Sequence, residues 1–176
     1  MILTTRRLTL IACPLDIGQT LLEDRKRAGE LLGVPVPLGW PSRELAEVLA
    51  PYLQELLHDP QALGWGVWIA IHREANTIVG HAGFKGRPDR DGTVEIGYGI
   101  APPHRGRGYA TEAVEALCRW SFTHSEVRRV VAECAPDNAA SIRVLEKSGF
   151  RPAGVSGSLL RWEQTRVESA GDGQAA

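Results

Sequence analysis

Residues 94–110 read VEIGYGIAPPHRGRGYA, and the residue pattern changes twice within them. In the first seven residues Glu95, Gly97 and Gly99 alternate with bulkier apolar side chains, which is typical of a strand. A basic, glycine-rich segment follows. From Ala110 onward, apolar residues recur at the three- and four-residue spacing of a helix. The segment therefore predicts a strand, a tight loop and an amphipathic helix in succession.

The glycine-rich loop has the features of a phosphate cradle. Gly106 and Gly108 lack side chains that would block a close approach, and they tolerate the positive φ that lets successive amides converge. The first N–H groups of the following helix have no partner within it, and the helix dipole places partial positive charge there. Arg105 and Arg107 add full positive charges. We therefore expect an anionic group to bind at this loop.

Two common phosphate-binding motifs do not fit the loop. A dinucleotide-binding fingerprint needs a third small residue where Thr111 stands, and no strand–helix–strand unit begins the chain. A Walker loop would end in Lys followed by Ser or Thr. For a Gly-x-Gly pair alone, an ordinary strand–helix connection is the plain alternative.

The rest of the chain alternates between strand-like and helical segments. Helices are predicted at residues 42–57, after Gly108 and at residues 138–148, with Ser42 and Asn138 (or Asp137 beside it) as N-caps. Pro51 is expected to kink or split the first helix. Strands are predicted at residues 7–12, 65–71, 78–84, 93–100, 127–134, 150–155 and 159–166. This order predicts a single α/β domain over residues 1–166, with residues 167–176 as a disordered tail.

Composition narrows the class of protein. The chain has 176 residues, 43% of them hydrophobic, and a formal net charge of −1, which fits a folded domain and disfavours nucleic acid or an anionic membrane as the partner. The three cysteines are widely spaced, so we expect buried free thiols and neither a disulfide nor a metal site. No apolar segment has the length of a signal peptide or a membrane helix, and we expect a cytoplasmic protein.

Two motifs together resemble a known family. The pattern Arg105-x-x-Gly108-x-Ala110 resembles the acetyl-CoA loop of the GNAT N-acetyltransferase superfamily, and residues 138–150 (NAASIRVLEKSGF) are similar to its second cofactor segment. Gly97-Tyr98 and Trp40-Pro41 resemble the RimJ/RimL-type branch, which contains ribosomal-protein N-terminal alanine acetyltransferases and relatives that act on other amines. The resemblance covers about residues 3–166. It implies a mixed, mostly antiparallel sheet of about seven strands, splayed at the cofactor site and flanked by helices.

The resemblance also implies how acetyl-CoA binds. The pantetheine arm would lie between strands 93–100 and 127–134 and contact Ile100, and an amide near Gly99 and Ile100 would polarise the thioester carbonyl. Asn138 and Ser141 would contact the cofactor from the other side of the gap, although Asn138 suits a plain helix cap equally well. The pyrophosphate would be held by the backbone of Arg105, Gly106, Arg107, Gly108, Tyr109, Ala110 and Thr111.

The implied reaction is direct attack of an amine on the thioester, and the amine must first lose a proton. Glu95 is one candidate base because it lies between apolar strand residues, on the face shared with Gly97 and Gly99. Glu133 is the other, since some family members carry a functional glutamate on the facing strand. For both residues, a salt-bridged or solvated glutamate at the sheet rim is the alternative.

The remaining assignments follow from the resemblance and stay open in part. Leu145 stands where many family members carry a tyrosine that protonates the departing thiolate, which leaves Ser141 or unaided departure as alternatives. Residues 33–41 occupy the acceptor-lid region of the family, so we expect the acceptor pocket to lie between Trp40 and Phe84. The acceptor is expected to be a small-molecule amine (an amino acid, a polyamine or an antibiotic) or a protein N-terminus, and the protein a monomer or homodimer.

Two other functions compete with amine acetylation. The first is a non-catalytic acyl-CoA-binding regulatory module, which the leucine at position 145 suggests. The second is a nucleotide-binding oxidoreductase or kinase that uses the glycine loop for another phosphate.

Overall fold

The computed structural model describes residues 1–166, and the tail predicted for residues 167–176 lies outside the described residues. The helices are α1 (Leu15–Glu23), α2 (Arg25–Leu32), α3 (Arg43–His58), α4 (Tyr109–Ser121) and α5 (Ala139–Lys147). The strands are β1 (Ile2–Thr4), β2 (Leu8–Ala12), β3 (Val67–His72), β4 (Thr77–Phe84), β5 (Thr93–Ile100), β6 (Arg129–Cys134), β7 (Arg151–Ser156) and β8 (Leu159–Thr165).

All these strands form one sheet in the order β1-β2-β3-β4-β5-β6-β8-β7. Neighbouring strands are antiparallel except β5 and β6, which run parallel. The predicted mixed, mostly antiparallel sheet is confirmed, with eight strands where about seven were expected. The additional strand is β1, which pairs with β2 at the sheet edge. It spans three residues, too few for a period-two pattern to be recognised in sequence.

The helices cover both faces of the sheet and create two apolar cores. On one face α4 and α5 pack through residues such as Val114, Leu117 and Leu145. On the other face α1 to α3 pack through residues such as Leu45 and Leu49. This arrangement places the start of α3 and the start of α4 at opposite faces of the same strands.

The sheet opens between β5 and β6. These strands pair only where Thr93–Glu95 meets Arg129–Val131, whereas β5 continues to Ile100 and β6 to Cys134. The carboxyl-terminal halves of two parallel strands therefore diverge. The splay expected from the family resemblance is present in this fold.

Local signals set the helix ends as the sequence predicts. The Ser42 hydroxyl accepts a hydrogen bond from the Leu45 amide at 3.2 Å, and Asn138 Oδ1 accepts one from the Ser141 amide at 3.1 Å. Gly149 follows α5 with a φ of 81°, as a left-handed residue after a helix requires. Pro51 lies within α3, which runs unbroken from Arg43 to His58, so the expected split was wrong and the kink stays a prediction.

Candidate active site

A cleft of about 920 Å³ opens beside the carboxyl-terminal end of β5, and its volume is within the range of small-molecule sites. Its walls come from β4, from the carboxyl-terminal end of β5, from residues 101–106 and 108–111, from α5 and from the segment that leads into α3. A second groove of about 440 Å³ lies against α2 and residues 33–36. No residue of the glycine loop or of β5 lines the second groove, so the larger cleft is the candidate site.

The glycine loop has the backbone geometry expected of a phosphate cradle. Gly106 and Gly108 have φ values of 75° and 79°, in the left-handed region that favours glycine. Gly108 is the N-cap residue of α4 and provides no side-chain cap, which leaves the first amides of the helix available to a ligand. Arg105 folds back, and its Nε donates to the Ile100 carbonyl at 3.0 Å. This bond ties the loop to the end of β5.

Arg7 anchors the same loop from the start of the chain. Its Nε and its backbone N–H each donate to the Glu112 carboxylate at 2.7 Å, and its Nη1 donates to the Arg107 carbonyl at 2.9 Å. The guanidinium also lies 4.7 Å from the centre of the Tyr109 ring, a cation–π geometry. Sequence reasoning missed this tie because nothing in the local pattern around Arg7 indicates a partner about a hundred residues away.

The opposite wall of the cleft is built by α5 and Tyr98. The Tyr98 hydroxyl donates to the Ser141 carbonyl at 3.2 Å, and burial raises the pKa of Tyr98 to about 12. Asn138 and Ser141 also line the cleft. Leu145 is fully buried in the core and is absent from the cleft lining. The expected cofactor segment therefore faces the glycine loop across the gap.

Comparison with known proteins identifies the fold and the family. Residues 7–151 match the family described as "Acetyltransferase (GNAT) domain". YjdG of Bacillus subtilis strain 168, described as an uncharacterized N-acetyltransferase, is 33% identical over 163 residues, which cover 92% of this chain and 96% of the relative. The chain belongs to the GNAT acetyltransferase family. It is therefore an acyltransferase.

Solved GNAT structures share this fold. The ribosomal-protein-S5-alanine acetyltransferase of Vibrio fischeri superposes with a TM-score of 0.66 at 16% identity, covering 94% of this chain and 96% of that chain. The microcin C7 self-immunity acetyltransferase MccE, solved with acetyl-CoA and AMP, gives a TM-score of 0.63 at 17% identity, covering 92% and 94%. At these identities the likeness shows a shared fold.

Neither glutamate that the sequence proposed as a base lines the cleft of this GNAT domain. Glu95 does share a strand face with Gly99, but the two are four residues apart, a rise of about 13 Å. Its carboxylate is paired with the Lys85 ammonium. Glu133 lies on β6 in register with Arg161 of β8. Glu95 is thus salt-bridged, as the alternative interpretation described, whereas the role of Glu133 stays a prediction.

The two aromatic residues proposed for the acceptor pocket have different positions. Trp40 lines the cleft, as expected. Phe84 does not, since it is buried in the core and packs against Trp65 and Trp120 with ring centres 5.5 and 5.7 Å away. The acceptor side is therefore not bounded by Phe84, because β4 turns this side chain toward the face that carries α4.

His81 and Glu44 line the cleft and were not proposed from the sequence. His81 lies on β4 directly across from Gly99 of β5. A Cβ atom at Gly99 would lie 2.6 Å from the imidazole Cε1 and 3.2 Å from Nε2, so the ring occupies the space above this glycine. A titratable residue within the apolar strand 77–84 was the only available signal, and it became interpretable only once the strand register was known.

Two further observations concern metal ions and membranes. Residues 1–166 contain no group of three or more His, Cys, Asp or Glu side chains placed to hold a metal ion. None of the described helices is long and apolar enough to cross a bilayer.

Proposed function

We propose that this GNAT domain transfers the acetyl group of acetyl-CoA to a primary amine, which attacks the thioester directly. The observation that carries the proposal is the gap between β5 and β6 beside the glycine loop at the start of α4. An extended pantetheine arm fits between diverging strands as an added strand would. A pyrophosphate suits the converging amides at a helix N-terminus.

The loop residues have distinct roles in this proposal. The backbone amides from Arg105 to Thr111, which include those of Tyr109 and Ala110, hold the pyrophosphate, and the left-handed glycines bring these amides together. Arg107 is exposed and adds positive charge from solvent. Ile100 ends β5 at the cleft, where its neighbouring amides would contact the pantetheine arm and the thioester oxygen.

Asn138 and Ser141 are proposed to contact the cofactor from α5. Asn138 uses its Oδ1 as the helix cap, so its Nδ2 group is the one left to donate to the ligand. Both roles that the sequence allowed for Asn138 are compatible in one side chain. The Ser141 carbonyl is engaged by Tyr98, which fixes the distance between this helix and β5.

Tyr98 is proposed as the acid that protonates the departing thiolate. Tyr98 lines the cleft, and burial raises its pKa to about 12, so it carries its proton at neutral pH. Leu145, at the position of the family tyrosine, is enclosed by the core. A Tyr98→Phe variant should therefore lose turnover while it retains CoA affinity. Equal turnover in the two proteins would leave the thiolate to depart unaided.

Binding and turnover test the proposed function separately. Calorimetry with CoA, NAD and ATP should show binding of CoA alone, and release of free thiol from acetyl-CoA should depend on an added amine. Binding of NAD or ATP in place of CoA would contradict the proposal and favour a nucleotide enzyme. Binding of CoA without turnover on a broad panel of amines and peptides would favour the non-catalytic module.

A further inference from the structure

The acceptor side of the cleft contains a histidine placed against the backbone of β5. His81 and Gly99 face each other in the antiparallel register of β4 and β5, and the imidazole lies over Gly99 where a side chain would otherwise stand. Gly97, two residues earlier on the same strand face, has nothing within 4 Å of an added Cβ. The ring is therefore seated at one specific point of the strand, next to Ile100 and the opening of the gap.

The groups around the imidazole differ in character from those around the glycine loop. Trp40 and Ile78 provide an apolar wall, and Glu44 from the first turn of α3 provides a carboxylate. Among the described residues that line the cleft, Glu44 is the one acidic side chain. A hydrogen bond from the Ser42 side chain is the main cause that lowers the pKa of Glu44, so the carboxylate is charged at neutral pH.

Burial keeps the histidine in its neutral form. It lowers the pKa of His81 to about 4, and the nearby charge of Glu44 offsets only part of this effect. A neutral imidazole has one nitrogen that can accept a hydrogen bond or a proton, whichever tautomer is present. The cleft thus presents an unprotonated nitrogen beside the expected thioester position and a negative charge nearer its mouth.

We propose that His81 is the catalytic residue that accepts the proton of the attacking amine, and that Glu44 recruits a singly charged ammonium group attached beside an apolar substituent. The assignment rests on the proposed acetyl transfer and specifies its acceptor side. One carboxylate matches one ammonium, whereas a polyamine would bring several charges into an apolar pocket. A free amino acid would bring a second carboxylate close to Glu44, and like charges repel.

The proton and electron balance of the step is complete. The nitrogen lone pair of the neutral amine forms the new C–N bond at the thioester carbon, and the C–S bond breaks with its electron pair on sulfur. Before this attack the ammonium recruited by Glu44 releases one proton to solvent, which frees the lone pair. The second proton, which the nitrogen loses as the amide forms, moves to the unprotonated nitrogen of His81. The thiolate gains a proton from Tyr98 or solvent, and His81 returns its own proton to the solvent or to the tyrosinate. The products are an N-acetyl amide and free CoA.

The experiment compares wild type with His81→Gln and Glu44→Gln, using acetyl-CoA and three acceptors: phenethylamine, phenylalanine and spermidine. His81→Gln keeps a polar side chain that can hydrogen-bond but cannot take the proton. We expect kcat to fall about 100-fold, as for loss of a general base, with CoA affinity within about twofold of wild type. Glu44→Gln should raise KM for phenethylamine about tenfold, as for loss of one charge-assisted hydrogen bond. Wild type should prefer phenethylamine over phenylalanine and spermidine.

Matched variants distinguish a loss of proton transfer from a loss of folded structure. His58→Gln makes the same exchange at an exposed residue in the last turn of α3 and should leave kcat unchanged. Gly99→Ala, which would push the imidazole away, should lower kcat, whereas Gly97→Ala should not. In His81→Ala, added imidazole should restore part of the lost rate, which a purely structural role would not allow.

The possible outcomes distinguish this inference from the function on which it rests. If wild type acetylates amines and His81→Gln keeps kcat within about threefold, the role of His81 is overturned and the acetyltransferase remains. A preference for spermidine or phenylalanine would overturn the acceptor class alone. If CoA binds but no amine in a broad panel supports thiol release, the proposed function itself fails, and the role of His81 fails with it.

Discussion

The tie between the start of the chain and the glycine loop predicts a coupled loss of stability and cofactor affinity. In a Glu112→Gln variant the carboxylate that accepts from Thr5 Oγ1 at 2.6 Å and twice from Arg7 at 2.7 Å becomes a neutral amide. Glutamine can still accept on one oxygen, but its NH₂ group then faces the Arg7 donor. One charge-assisted contact is lost and one donor–donor conflict is introduced.

The size of the expected stability loss follows from how deeply the Glu112–Arg7 ion pair is buried. The Glu112 and Arg7 side chains are 14% and 31% exposed, intermediate between a buried pair, whose disruption costs about 3–5 kcal/mol, and an exposed one, worth about 0–1 kcal/mol. We expect the free energy of unfolding to fall by about 2 kcal/mol. For a domain of this size that lowers Tm by about 4–8 °C.

The affinity for CoA should fall together with the stability, because Arg7 also donates to the Arg107 carbonyl within the loop proposed to hold the pyrophosphate. We expect the Kd for CoA to rise about fivefold, equivalent to about 1 kcal/mol. Thermal unfolding followed by tryptophan fluorescence gives the first quantity, and calorimetry with CoA gives the second.

The matched control is Glu47→Gln, which removes an ion pair of the same chemistry with Arg43 on the surface of α3. These side chains are 91% (Arg43) and 64% (Glu47) exposed, so the change should cost at most about 0.5 kcal/mol. If Glu112→Gln and Glu47→Gln unfold at the same temperature and bind CoA equally, the reasoning about Arg7 is refuted.

Three further predictions concern other parts of the molecule. Gly108→Ala should weaken CoA binding at least about fivefold, since a non-glycine residue in this left-handed conformation costs about 1–2 kcal/mol. In the control, Gly157→Ala places alanine in a similar left-handed conformation in the β7–β8 turn and should leave CoA affinity intact. Burial raises the pKa of Glu112, but hydrogen bonds from Thr5 and Arg7 together with the Arg7 charge outweigh it, so the pKa is lowered overall. The stabilising contribution of Glu112 is therefore present above the unfolded pKa of about 4.3 and is lost as pH falls through the folded pKa. In thermal unfolding at a series of pH values, the Tm of Glu112→Gln should fall less steeply than that of wild type across this range. Burial raises the pKa of Cys13 and Cys118 to about 12, so a thiol reagent should label neither residue until the protein is unfolded; rapid labelling of the native protein would contradict their burial.

Much of the fold was predictable because its signals are local. The Ser42 and Asn138 caps, the left-handed Gly108 and Gly149, and the strand before the loop depend on residues within a few positions of one another. Such features can be recognised without knowledge of the rest of the chain. The short β1 escaped prediction because its formation depends on pairing with β2 rather than on its own pattern.

The candidate site was predictable on one side only. The family motif indicated a loop and a facing segment with Asn138 and Ser141, and residues of both line the cleft; their contact with the cofactor stays a prediction. The catalytic assignment to Glu95 used strand alternation, which identifies a face of the sheet but not the position along it. In the folded chain that carboxylate pairs with Lys85, at the end of β5 where the sheet is still closed.

The amino-acid sequence by itself indicated the loop proposed to hold the donor, because a glycine loop at a helix start is a local arrangement of amides and charges. Only the tertiary structure brought together the residues proposed for the acceptor half. His81 meets Gly99 through the register of two strands joined by residues 85–92, and Glu44 reaches the cleft from α3 on the opposite face. Arg7 reaches the loop from the start of β2. These contacts depend on how the strands pair and how the helices pack, and no periodicity in the sequence specifies strand pairing or helix packing.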